Sequence, residues 1–176
     1  MADYFRFFNL PVAFSIDESA LRRAWLLNSK KYHPDFHTLE DTAKQAEVLE
    51  LSTLNNEAFK VLSDYDQRMQ YILQIKGLLG DEGQQPPIAQ DFLMEMMDIN
   101  EHLMELEFDF DAEKYETVRQ QVENIETALN AELAPIVNQW NETTGVNAEL
   151  ERVKDFFLKK RYLLRIKKNL LTFASA

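Results

Sequence analysis

Tyr32-His33-Pro34-Asp35 sets three unlike functional groups side by side. His33 offers a ring with a donor and an acceptor nitrogen, and Asp35 a carboxylate able to pair with a partner's arginine. Pro34 fixes its own φ and lacks a backbone donor. Proline also disfavours helix at the residue before it, so a helix arriving from Trp25 must end at His33-Pro34 and leave a stiff polar turn. At about 100° per residue, Arg22, Arg23 and Lys30 fall on one side of that helix, with Lys31 next in line; Leu21, Trp25 and Tyr32 fall on the other. A cationic helix face running into a rigid turn is the chemistry of protein recognition. Two other readings use the same residues. The tripeptide is a plain helix stop in one, with Asp35 capping the next element. In the other, His33, Asp35 and His37 supply two imidazoles and a carboxylate to a metal ion, as in a metal-assisted hydrolase.

The rest of the chain narrows these choices. No Ser/His/Asp arrangement, phosphate-cradling glycine loop or further His/Glu cluster supports an enzyme. The 176 residues contain no cysteine, which excludes disulfide frameworks, thiolate zinc sites, cysteine-held clusters and cysteine nucleophiles, and fits a reducing compartment. A formal net charge of −11 argues against a nucleic-acid binder that uses its whole surface. No apolar run approaches the ~20 residues of a membrane span. The opening MADYFRFFNLP lacks a signal peptide's cationic start and long apolar core, so a cytoplasmic protein is expected, with no membrane and no nucleic acid among its partners.

The elements that must position the turn read as helices. Val, Ile and Thr are scattered rather than alternating, and no Asn-Gly or Asp-Gly hairpin occurs. Ser15 and Glu18 have capping-box spacing ahead of the Trp25 helix. A second helix is expected over about 40–62, with Leu51, Leu54, Ala58 and Val61 on one stripe, and a short one over 67–76. GLLGDEGQQPP, with three of the four glycines, reads as a linker over 77–88. It divides the chain into 1–76 and 89–176, with net charges of −2 and −7. Beyond it, helices are expected over 89–108, 112–141 and 147–172, with Pro135 kinking or breaking the middle one and Asn147 as N-cap of the last. No sustained a/d heptad run suggests a coiled-coil dimer, so a monomer is expected.

The helix opening this second part has an apolar surplus. Phe92, Met96, Ile99, Leu103, Leu106 and Phe110 recur at spacings of 4, 3, 4, 3 and 4 and suffice to pack it into a bundle. Leu93, Met94, Met97 and Met104 lie away from that stripe, among Asp98, Glu101 and Glu105. Either a further helix covers them, methionine being common core filler, or they form an acid-rimmed protein-binding patch. The helix is acidic, with ten acids and one lysine over 91–116, whereas 152–168 holds eight bases and one acid.

Residues 3–73 resemble the J-domain of the DnaJ-type co-chaperones. The likeness runs through a short aromatic-bearing leading helix (DYFRFFNLP), the basic helix, the His-Pro-Asp turn, and LNNEAFKVLSD followed by QRMQYIL. Asn55, Ala58, Phe59, Leu62, Asp64, Arg68 and Tyr71 stand in matching places, whereas Tyr65 stands where many members carry proline. Such a domain, a short linker and about 88 acidic helical residues are similar to the HscB-type co-chaperones of iron–sulfur cluster assembly, in their bacterial form. DFLMEMMDINEHLMELE resembles that family's segment in the second domain. The resemblance implies an all-α fold, a J-domain with a helical hairpin joined to a C-terminal three-helix bundle, and no catalysis. Arg22, Arg23, Lys30, Lys31, His33, Pro34 and Asp35 would dock on a DnaK-like (HscA-type) chaperone and stimulate its ATPase. Leu93, Met94, Met97, Asp98, Glu101, Glu105 and Phe157 would hold an iron–sulfur scaffold protein of the IscU type. Met97 replaces the usual leucine and Asp98 the usual glutamate, and Phe156 adjoins the aromatic matched at Phe157. No cofactor is implied. The runner-up is a J-domain adaptor serving another client.

Overall fold

In a computed structural model of the chain, residues 3–80 and 88–174 are described; most of the expected linker, 81–87, lies outside them. The described residues form seven α-helices and no strand, and separate into two compact units. The first comprises 1–76 together with 139–145, the second 77–138 and 146–176. Residues 139–145, which the linker-based division leaves in the second part, thus cluster with the first.

The first unit holds α1 (Tyr4–Phe7), α2 (Glu18–Lys31), α3 (Thr42–Ser63) and α4 (Tyr65–Ile75). Each opens on an aspartate whose carboxylate accepts an amide of the first turn: Asp3 from Arg6, Asp17 from Ala20, Asp41 from Lys44 and Asp64 from Gln67, at 2.8–3.0 Å. The expected box at Ser15 is therefore corrected. Asp17 caps α2 because its carboxylate reaches the third helical amide, and the helix starts at Glu18. Gly77, at φ 70°, stands just past α4 in the left-handed conformation that glycine adopts without strain. Phe5, Phe14, Leu21, Leu62, Met69, Ile72 and Leu73 fill the core.

Polar clasps fix the register of these helices. Buried Asn55 of α3 donates to the Trp25 carbonyl and the Ser29 hydroxyl of α2, at 3.2 and 3.0 Å. The Trp25 ring stacks on Phe59 with centroids 4.6 Å apart, and its N–H donates to Asn56. Buried Arg68 donates to the carbonyls of Phe14 and Leu62, so the guanidinium leaves water without losing its partners. Tyr71 stacks on Tyr4 and accepts the Tyr4 amide at 3.0 Å. Over this core lies the segment 139–145. Trp140 packs on Phe14 with centroids 5.0 Å apart, Asn141 bridges Ala13, and the Glu142 amide donates to the Val12 carbonyl. Gly145 turns under the indole, where any β-carbon would collide with it.

The second unit holds α5 (Gln90–Phe108), α6 (Ala112–Gln139) and α7 (Asn147–Ala174). Its core takes Phe92, Met96, Ile99, Leu103 and Leu106 from α5, Val118 and Val122 from α6, and Leu163, Ile166 and Leu170 from α7. The periodic stripe of α5 is thus the buried one, apart from Phe110, which lies beyond the helix end and is exposed. Two expectations are corrected. α6 runs through Pro135 without a break, although proline cannot make the bond to the Ala131 carbonyl. Asn147 is the first helical residue rather than the cap, and the Glu149 carboxylate accepts the Val146 amide instead. Lys167 of α7 reaches Glu126 of α6 at 2.7 Å, and Lys114 of α6 reaches Glu105 of α5.

Candidate functional site

The His-Pro-Asp turn is set by what stops α2. The helix ends at Lys31, its last amide bond running from Tyr32 to the Asn28 carbonyl at 2.8 Å. Pro34 then opens a single 3-10 turn, Pro34–His37, with His33 as its cap. The Asp35 amide donates to His33 Nδ1 at 3.3 Å, and the Phe36 amide to the His33 carbonyl at 3.0 Å. With Nδ1 accepting, the neutral ring carries its hydrogen on Nε2. The Asp35 carboxylate lies 3.7 Å from Nδ1, too far for a hydrogen bond. His33, Pro34 and Asp35 are all exposed.

Arg22, Arg23, Lys30 and Lys31 are exposed as well. Arg23 has a loose ion pair with Asp17 at 3.8 Å, and the Lys31 ammonium lies 5.0 Å from the Tyr32 ring centroid. The structure adds Leu26 and Leu27, both exposed, to this face. The helix thus presents two i,i+4 rows, Arg22-Leu26-Lys30 and Arg23-Leu27-Lys31, that mix charge with apolar area. That spacing was readable, but a leucine in a helix defaults to core until its exposure is known.

The metal reading fails on geometry. His37 Nε2 lies 2.9 Å from the Lys31 carbonyl oxygen, and His33 Nδ1 accepts an amide. Among the described residues no three His, Asp or Glu side chains are grouped to hold a metal ion.

On α5 the outer face settles where the surplus methionines go. Met94 and Met97 are 62% and 66% exposed, Met104 is exposed beside them, and Leu93 is half-buried. No described helix covers them. Asp98, Glu101 and Glu105 are exposed on the same face. The Lys114 ammonium, donating to Glu105, holds that carboxyl below the usual carboxylate range. Phe157, expected at the client-facing surface, is only 5% exposed, as is Phe156. Its ring is instead covered by neighbours, with the Arg161 guanidinium 5.8 Å from its centroid.

Comparison with known proteins agrees with this arrangement. The HSCB C-terminal oligomerisation domain family matches residues 88–171. The chain shares the fold of the chaperone HscB from Vibrio cholerae, with TM-score 0.66 and 20% identity over 99% of this chain and 98% of that one. The human co-chaperone HscB superposes with TM-score 0.70 and 22% identity, over 99% and 83%. Among curated relatives, the HscB homologue of Pasteurella multocida is 28% identical over 96% of this chain and 98% of its own. That of Chromobacterium violaceum is 32% identical over 74% of this chain and 76% of its own. An exposed His-Pro-Asp turn, a second helical domain matched by its own family and full-length relatives of one name make the chain a member of the HscB family of co-chaperones.

Proposed function

We propose that the protein stimulates the ATPase of a DnaK-like (HscA-type) chaperone and delivers to it an iron–sulfur scaffold protein of the IscU type, aiding cluster transfer to acceptor proteins. Residues 1–76 act as the J-domain, 77–88 as linker and 89–176 as the scaffold-binding domain. The observation that carries this reading is the exposed His33-Pro34-Asp35 turn at the end of the cationic face of α2. Arg22, Arg23, Lys30 and Lys31 give electrostatic steering to an acidic chaperone surface, and Asp35 meets an arginine there. Leu93, Met94 and Met97 anchor the scaffold, and Asp98, Glu101 and Glu105 form the polar rim; buried Phe157 lies outside this exposed set. Holding both partners makes the second encounter intramolecular and raises its effective concentration. The protein acts as a cytoplasmic monomer without chemistry of its own; among the described residues no helix is long and apolar enough to cross a membrane.

Steady-state ATP hydrolysis by the chaperone tests this, with the protein, the scaffold, both or neither. Expected is a stimulation that exceeds additivity when the scaffold is present. His33→Gln abolishes it and leaves the thermal melt unchanged, because the ring is exposed. Full stimulation by His33→Gln overturns the docking assignment. Stimulation indifferent to the scaffold assigns the second domain to another client.

A further inference from the structure

His37 closes the docking turn from its far side. Its Nε2 lies 2.9 Å from the carbonyl oxygen of Lys31, the last residue of α2. The final carbonyls of a helix have no partner within it, and a histidine N–H near the C-terminus is a suitable donor. A carbonyl only accepts, so Nε2 carries the hydrogen. Nδ1, buried and without a partner, is then the bare nitrogen. The ring as a whole is half-buried. Between the two pinned ends lie Tyr32 to Phe36, stiffened by Pro34 and by the Asp35 and Phe36 amides bonding back to His33. Beyond it, Gln45 of α3 donates to the carbonyls of Thr38 and Glu40, which fixes the chain on the other side.

We propose that His37 is a positioning residue whose ring locks the 3-10 turn to the end of α2, holding His33 and Asp35 at a set distance from Lys30 and Lys31. It makes no contact with the chaperone itself. The proposal rests on the reading of the turn as a chaperone-docking site, and it goes beyond that reading by naming what keeps the turn in shape.

Two variants of the full chain separate the lock from mere filling of space. His37→Phe keeps a ring and removes the donor. His37→Gln keeps an N–H close to the place of Nε2. Amide hydrogen exchange without any partner reads the lock directly. Expected is about three- to tenfold faster exchange at Asp35 and Phe36 in His37→Phe, the worth of one ordinary hydrogen bond, and near wild-type exchange in His37→Gln. In the ATPase assay, maximal stimulation falls several-fold in His37→Phe while the half-maximal concentration moves less, since the basic face is intact; His37→Gln restores it. Unchanged exchange in His37→Phe overturns the lock, and faster exchange with full stimulation overturns its part in docking. A wild-type protein that fails to stimulate while exchange responds as expected overturns the docking reading beneath the proposal, and leaves the bond to Lys31 established.

Discussion

The imidazole of His33 and the carboxylate of Asp35 are neighbours that do not satisfy one another. One ring nitrogen is spent on the Asp35 amide, so Nε2–H and the carboxylate both stay directed to solvent and to whatever binds there. On α5 the same logic applies to apolar groups. Met94 and Met97 contribute little to the fold because more than half of each side chain meets water. The double variant Met94→Ala with Met97→Ala is therefore expected to weaken scaffold binding by more than about 1 kcal/mol, read by calorimetric titration. Its melting temperature should stay near wild type, whereas burial would have cost about 2–5 kcal/mol per methionine. A large fall in melting temperature would make the pair core and leave the face without anchors. This distinction lay beyond the sequence. The periodic stripe named the inward side of α5, but it could not say whether another helix lay over the outward one.

Among the elements, α4 carries the clearest consequence for pH. Burial pushes the Tyr71 hydroxyl above its ordinary value, and the Tyr4 amide donating to it offsets part of that rise. Burial raises Tyr65 in the same way, with the Arg68 guanidinium opposing. A phenol whose folded-state value is raised binds its proton more tightly in the folded chain. The stability it confers is whole below the unfolded value near pH 10 and drains away as pH climbs through the folded one. Urea denaturation from pH 8 to 11 should thus show stability falling from about pH 10 upward, with a shallower fall in Tyr71→Phe. Equal slopes would remove Tyr71 as the cause. Helix existence was legible because 3.6-residue stripes are a local signal, and all the expected helices formed. Their ends were less so. Ser15 and Asp17 both suit an N-cap, and only the actual entry of the chain into α2 selects Asp17. Pro135 reads as a breaker from its type alone, yet α6 continues through it.

At the scale of the molecule, the first unit draws on two distant stretches of chain. Trp140 is buried on Phe14, so Trp140→Ala should cost about 3–5 kcal/mol in that unit, read by tryptophan-independent means such as amide exchange of α1 and α4. Protection of those helices unchanged by the substitution would make the segment an ornament. Nothing local in NQWNETTG announces this role, since Trp140 stands at the end of a helix and finds its partner 126 positions earlier. The glycine and proline cluster at 77–88 was legible as a boundary, because turn residues declare themselves by type. The return of the chain to its beginning was not, because it is written only in the fit of one indole against one phenyl ring.

That return also sets a timetable for the nascent chain. When residue 76 is made, the helices bearing the His-Pro-Asp turn are all synthesised, but the indole that packs on Phe14 is not. At ordinary synthesis rates the next seventy or so residues take about 3–14 s. Throughout that interval the newborn domain lacks the indole that packs on Phe14 in the finished protein. A gene truncated after residue 76 would make that interval permanent, yielding a fragment that carries the His-Pro-Asp turn but never gains the indole that packs on Phe14.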